Sequence, residues 1–134
     1  MSPLEAKKLV DSGYSYIDVR TETEFRLGHP RGALNVPIQR VMGSPANPDF
    51  VPVMQRAFAI DQGLVVACAT GVRSRTASEA LRRAGFVNVV EMRAGFDGRR
   101  GPFGNLLEAG WRASGLPVAA GDDDGSFVRM LAHT

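Results

Sequence analysis

The stretch Gly63-Leu64-Val65-Val66-Ala67-Cys68-Ala69-Thr70-Gly71-Val72-Arg73-Ser74 decides how this chain is to be read. Residues 63–67 form a short unbroken apolar run, the pattern of a strand buried on both faces of a parallel sheet. Ser74 then opens a helix predicted to reach about Ala84, with Gly85 ending it. So short a loop delivers Cys68 to the carboxyl edge of the sheet, where α/β proteins place their sites. Gly71 is free to take positive φ, so the loop can turn consecutive backbone N–H groups onto the sulfur, and the helix N-terminus adds partial positive charge. Both effects favour the anion. The prediction is a lowered thiol pKa and a reactive cysteine, where a lone Cys after an apolar strand is ordinarily a small buried hydrophobe.

Working outward, Ser2 caps a first helix, with Pro3 at its first position, Glu5 reaching back, and Gly13 as its stop. Tyr14–Val19 is a strand candidate, Arg20–Leu27 a polar helical turn stopped by Gly28-His29-Pro30, and Ala33–Val36 a second strand. Breakers make 43–49 a loop; Asp49 then caps a helix through Ile60 whose apolar residues recur at helical spacing. Phe86–Met92 is the next strand, 95–110 a glycine-rich irregular stretch, Trp111–Ser114 a short helix, and Gly115–Val118 an extended closing segment. Gly121–Thr134 reads as a polar tail with a weakly apolar patch at Phe127–Leu131, and Asp122-Asp123-Asp124 argues for its exposure. Strands alternating with helices imply an α/β fold with a mainly parallel sheet of about five strands. Arg20, Cys68 and Arg93 lie just past three strand ends and are predicted to share one edge.

The 134 residues make one domain, with 44% hydrophobic and 22% charged residues excluding wholesale disorder. No apolar run approaches the ~18–20 residues that span a bilayer. The N-terminal residues lack the basic-then-apolar layout of a secretory signal, so the expectation is a cytoplasmic protein with no membrane partner. A net charge of +2, without a basic run interleaved with aromatics, gives nucleic-acid binding no support. The single cysteine rules out a disulfide framework and a cysteine-cluster metal site within one chain.

The loop Cys68–Ser74 resembles the active-site loop of the rhodanese (sulfurtransferase) family. Asp18-Val19-Arg20 with Glu24 is similar to that family's first-strand motif. The run from Phe25 through His29-Pro30-Arg31-Gly32-Ala33 to Asn35-Val36-Pro37 resembles its N-terminal signature, with Pro30 and Arg31 unusual there. Trp111 followed by Gly115-Leu116-Pro117-Val118 resembles its C-terminal close, so the likeness spans residues 3–118 and leaves 119–134 as a tail. The resemblance implies a three-layer α/β/α fold and a ping-pong sulfur transfer. In that reaction Cys68 takes the outer sulfur of a small anionic donor such as thiosulfate and passes it to an acceptor: cyanide, a thiol or a protein. It implies that Ala69, Thr70, Gly71, Val72, Arg73 and Ser74 hold the persulfide, and that neither an organic cofactor nor a metal takes part. Arg20 and Arg93 are candidates for the pocket edge. The chain is read as a monomer or homodimer.

Rival chemistries fail on spacing. Cysteine phosphatases place Arg six positions after Cys; here that position is Ser74, with Arg73 one residue early, and the loop is one residue too small for phosphate. A cysteine hydrolase needs a His base, and neither His29 nor His133 sits in such a motif; a dithiol reductase needs a second Cys. The alternative from another class is a rhodanese-like sulfur carrier or protein-binding module with little thiosulfate activity. The presence of Cys68 favours catalysis. Arg20 and Glu24, four apart, read first as an i,i+4 pair. Asp18 is expected to anchor nearby amides and His29 to hold the turn before Gly32, while Arg73 either faces the pocket or points outward. Ala69 puts no charge at the second loop position, which makes thiosulfate a weak candidate donor. The departure from the family lies after Met92: Ala94-Gly95 stands for its Gly-Gly pair and Trp111 comes sixteen residues after Gly95, implying an insert at about 96–110 that acts as a lid, as a partner-docking surface, or only as a surface loop.

Overall fold

In a computed structural model, which describes residues 1–132, the chain builds helix α1 (Pro3–Asp11), strand β1 (Ser15–Asp18), α2 (Glu22–Leu27), β2 (His29–Pro30), β3 (Leu34–Asn35) and α3 (Phe50–Ala57). It continues through β4 (Leu64–Ala67), α4 (Val72–Arg83), β5 (Val89–Glu91), β6 (Arg99–Arg100), β7 (Leu106–Glu108), β8 (Val118–Ala119) and α5 (Phe127–Ala132). His133 and Thr134, the end of the expected tail, lie outside the described residues. Capping boxes start α1 at Ser2–Glu5 and α2 at Thr21–Glu24, each satisfying two otherwise orphaned amides.

Four parallel strands in the order β3-β1-β4-β5 form the central sheet, with Ile17 opposite Val66 and Val65 opposite Val90. The expected fifth strand is absent because the closing segment leaves the sheet. Trp111 Nε1 and the Arg31 amide both donate to the Pro117 carbonyl, at 2.9 and 3.0 Å, which sets β8 antiparallel to β2 in a separate ribbon. Alternation along the fully buried β4 feeds two cores. Leu64 and Val66 face one with Ile17, Phe50, Met54, Ala77 and Leu81; Val65 and Ala67 face the other with Ala6, Tyr16, Phe25 and Trp111. Helices therefore cover both faces, giving three layers.

The tail differs from its reading. Asp122 and Asp124 are exposed as expected, but Phe127 and Met130, three apart on α5, are buried in the first core. The Gly125 carbonyl accepts from the Asn35 amide at 2.7 Å, and Asp123 meets His29 Nε2 at 2.5 Å. Residues beyond 119 thus complete the domain and do not trail from it. The insert is also ordered differently: β6 and β7 pair as an antiparallel hairpin. It leaves the domain at one point, because Trp111 donates back to the Gly95 carbonyl at 2.9 Å.

Candidate active site

Cys68 follows directly on β4 and is 1% exposed. Two features hold the start of its loop. Phe96 donates to the Cys68 carbonyl at 2.8 Å and Asp97 to the Ala69 carbonyl at 2.9 Å, so the segment after β5 braces the cysteine from the next strand. Gly95 makes that approach possible, since a Cβ there would collide with the Cys68 and Ala69 carbonyls. Beyond it Gly71 takes φ +99° and caps α4, which begins at Val72 and not at the predicted Ser74. The positive φ turns the chain inward. As a result the Gly71 N–H donates to Cys68 Sγ at 3.1 Å and the Ser74 N–H donates at 3.3 Å, while Ser74 Oγ donates to the Gly71 carbonyl at 3.2 Å. Sulfur is an acceptor of two amides at the N-terminus of a twelve-residue helix.

The arginines are placed differently from the i,i+4 reading. Arg20 turns back to Asp18, donating from Nε at 3.0 Å and from its terminal nitrogen at 2.7 Å, and also reaches the Gly28 carbonyl at 2.6 Å. It packs 4.5 Å above the Phe96 ring, with Arg112 at 4.8 Å from the same ring. Asp18 also accepts from the Arg20 amide, as expected of an anchor. His29 is wholly buried, stacked on Phe25 with Nδ1 2.6 Å from the Phe25 carbonyl, so it does hold this turn. Glu24 pairs instead with Arg73, at 2.6 and 3.0 Å, a fork across 49 residues that ties the cysteine loop to α2. Burial alone would raise the Glu24 carboxyl pKa; the Arg73 fork and the Thr21 cap together bring it down to about 2. Arg73 therefore neither enters a pocket freely nor points to solvent.

Thr70, Gly71, Val72 and Arg93 line one cavity beside the loop, whereas Arg20 lines a separate cleft of about 200 Å³ with Glu24 and Phe96. Arg20 and Arg93 follow parallel strands and share an edge with Cys68, but only Arg93 joins the cavity. Sequence reasoning missed the Glu24–Arg73 fork, which no local spacing announces, and the bracing amides of Phe96 and Asp97, for which Gly95 is the one visible signal.

Known proteins resemble this chain in sequence and fold. A family model described as the rhodanese-like domain matches residues 2–100. Over 117 residues the chain is 34% identical to Thiosulfate sulfurtransferase 16, chloroplastic, of Arabidopsis thaliana, covering 86% of this chain and 88% of that protein. It is 38% identical over 93 residues to Senescence-associated protein DIN1 of Raphanus sativus, covering 68% of this chain but 51% of the relative, so it spans about half that protein's length. The solved structure of Rv0390 from M. tuberculosis superposes with a TM-score of 0.75 at 27% identity, over 90% of this chain and 96% of its own. The matched span runs from the cap of α1 through the cysteine loop and ends in β6, inside the hairpin, and on that match the chain belongs to the rhodanese-like domain family.

Proposed function

We propose that the protein is a sulfurtransferase that moves a sulfane sulfur from a donor such as thiosulfate to a thiophilic acceptor through a persulfide on Cys68. The observation that carries this reading is the convergence of the Gly71 and Ser74 amides on Cys68 Sγ. The thiolate attacks the donor's outer sulfur, the donor's S–S bond breaks, and sulfite leaves with the electron pair. An acceptor nucleophile then attacks the outer sulfur of the persulfide and returns the electron pair to Cys68. Amides fixed before reaction stabilise the anionic sulfur without reorganising, as preorganised donors stabilise a developing oxyanion. The near-complete burial of Cys68 suits a donor that presents one terminal atom.

Intact mass spectrometry after thiosulfate incubation tests the proposal, on wild type and on Cys68→Ser, with and without subsequent cyanide. The expected result is a gain of one sulfur atom that requires Cys68 and disappears with cyanide. No gain from thiosulfate or other sulfane donors removes the reading in favour of a binding module.

A further inference from the structure

Beside the cysteine loop, against Thr70, Gly71 and Val72, lies a cavity of about 560 Å³, within the size range of small-molecule sites. Arg75 and Arg82 of α4, Arg93 after β5 and Arg99 of β6 all line it, together with Glu79 and Glu91. Glu79 is engaged, with Arg75 Nε 3.5 Å away, and Glu91 lies 3.2 Å from Ser74 Oγ. Arg82 donates to the Val89 carbonyl at 3.2 Å. The guanidinium groups of Arg93 and Arg99 make no hydrogen bond or ion pair among the described residues. The cavity thus carries an excess of two positive charges, and the two unpaired guanidiniums come from different elements that meet only here. A guanidinium fork fits a carboxylate, so the complement of this cavity is a ligand with two carboxylates.

Gly71 forms part of the cavity wall, and its amide donates to Cys68 Sγ at 3.1 Å. A ligand anchored between Arg93 and Arg99 is therefore one loop residue from the reacting sulfur. We propose, resting on the sulfurtransferase reading above, that the cavity holds the non-reacting end of the acceptor, a small organic thiol bearing two carboxylates. Its thiolate attacks the outer sulfur of the Cys68 persulfide. A new S–S bond forms on the acceptor, the S–S bond to Cys68 breaks, and Cys68 recovers its electron pair as thiolate, with no net oxidation. Because Arg99 belongs to the inserted hairpin, the insert selects the acceptor.

Calorimetric titration of the full chain with mercaptosuccinate tests the site, on wild type, Arg93→Ala and Arg99→Ala, with Arg99→Lys retaining the charge. Saturable binding is expected, weakened about tenfold by each alanine, the equivalent of ~1.4 kcal/mol, and partly restored by lysine. The kcat/KM ratio for mercaptosuccinate over the neutral 2-mercaptoethanol is expected to fall by a similar factor in Arg99→Ala. Absence of wild-type binding, or binding by both alanine variants as tight as that of wild type, overturns the proposal. Tighter binding of pyrophosphate than of mercaptosuccinate overturns the carboxylate class. If thiosulfate leaves no sulfur on Cys68 while mercaptosuccinate still binds through Arg93 and Arg99, the sulfurtransferase reading fails and takes the acceptor role with it, but the anion site stands.

Discussion

Replacing Gly71 by alanine tests whether the geometry of the loop, and not merely the presence of a thiol, makes the site. At φ +99° an L-residue pays about 1–2 kcal/mol for the left-handed backbone alone. The added Cβ would lie 2.5 Å from the Arg93 carbonyl oxygen, and that neighbour is backbone, so no side-chain rotation relieves the contact. Overpacking of this kind costs a further ~1–3 kcal/mol. The expected destabilisation is therefore about 2–5 kcal/mol by urea denaturation. Relief of the contact moves Gly71 off the segment after β5 and lengthens its 3.1 Å hydrogen bond to Cys68 Sγ. Loss of one preorganised donor typically slows chemistry about 10²-fold or more, and a comparable fall is expected in the rate of persulfide formation followed by mass spectrometry under single-turnover conditions. Gly71→Asn separates the two causes, because asparagine tolerates the left-handed region but keeps the Cβ. It is expected to recover about 1 kcal/mol of stability and little of the rate. A Gly71→Ala protein as stable and as fast as wild type would refute the reasoning.

Three more outcomes follow from other contacts. Glu24→Gln removes the carboxylate that the Arg73 fork and the Thr21 cap hold at about pKa 2; a shift of that size corresponds to at most about 3.4 kcal/mol, which solvent at this half-buried pair reduces to about 1–2 kcal/mol. Because the folded pKa lies below the unfolded one, that stability is present above about pH 4.5 and is lost as pH falls towards 2; equal acid unfolding curves for variant and wild type would remove the fork from the account. Deleting residues 99–108 removes a hairpin whose Phe103 and Leu107 are exposed and whose base is closed by the Trp111–Gly95 hydrogen bond, so stability measured by urea should change by no more than about 1 kcal/mol. Preference among acceptors should shift more, and unchanged kcat/KM ratios would leave the insert a surface loop. Phe127→Ala should cost about 3 kcal/mol in thermal or urea unfolding, since the ring is 1% exposed against the first core; a cost below about 1 kcal/mol would mean that α5 only rests on the domain.

The fold was legible where burial is two-sided. Residues 64–67 show no alternation because both faces of β4 meet side chains, and that run, with the glycine loop and helix after it, was enough to orient the sheet and bring Cys68 to its carboxyl edge. The packing of the tail was not legible in the sequence, for a physical reason. Its two buried side chains, Phe127 and Met130, sit on a helix of only six residues, too short for a periodic signal, and three adjacent aspartates dominate the composition before it. What buries Phe127 is a surface made by β3 and α3, seventy residues or more earlier, and no local pattern describes that surface.

The same distinction explains the arginines. Spacing favours Arg20 with Glu24, because four residues make neighbours on a helix. Arg20, however, precedes α2 and stands at a strand end, where the chain is not yet helical and Asp18, two residues back, turns to the same edge. Both groups are nearly fully buried, so a forked pair between them is demanded by desolvation, and Asp18 takes the guanidinium before Glu24 can. Glu24 is left with its cap and one open face, and the cysteine loop fills that face with Arg73. One choice at the end of β1 thereby decides how the reactive loop is fastened: Arg20 holds Phe96 from above, Phe96 holds the Cys68 carbonyl, and Arg73 holds the far end of the loop through α2. The proposed chemistry needs a thiol and the Gly71 and Ser74 amides, but their spacing is kept by ion pairs and an aromatic ring that come from other segments of the chain. A variant at Arg20 or Glu24 can therefore silence an intact Cys68.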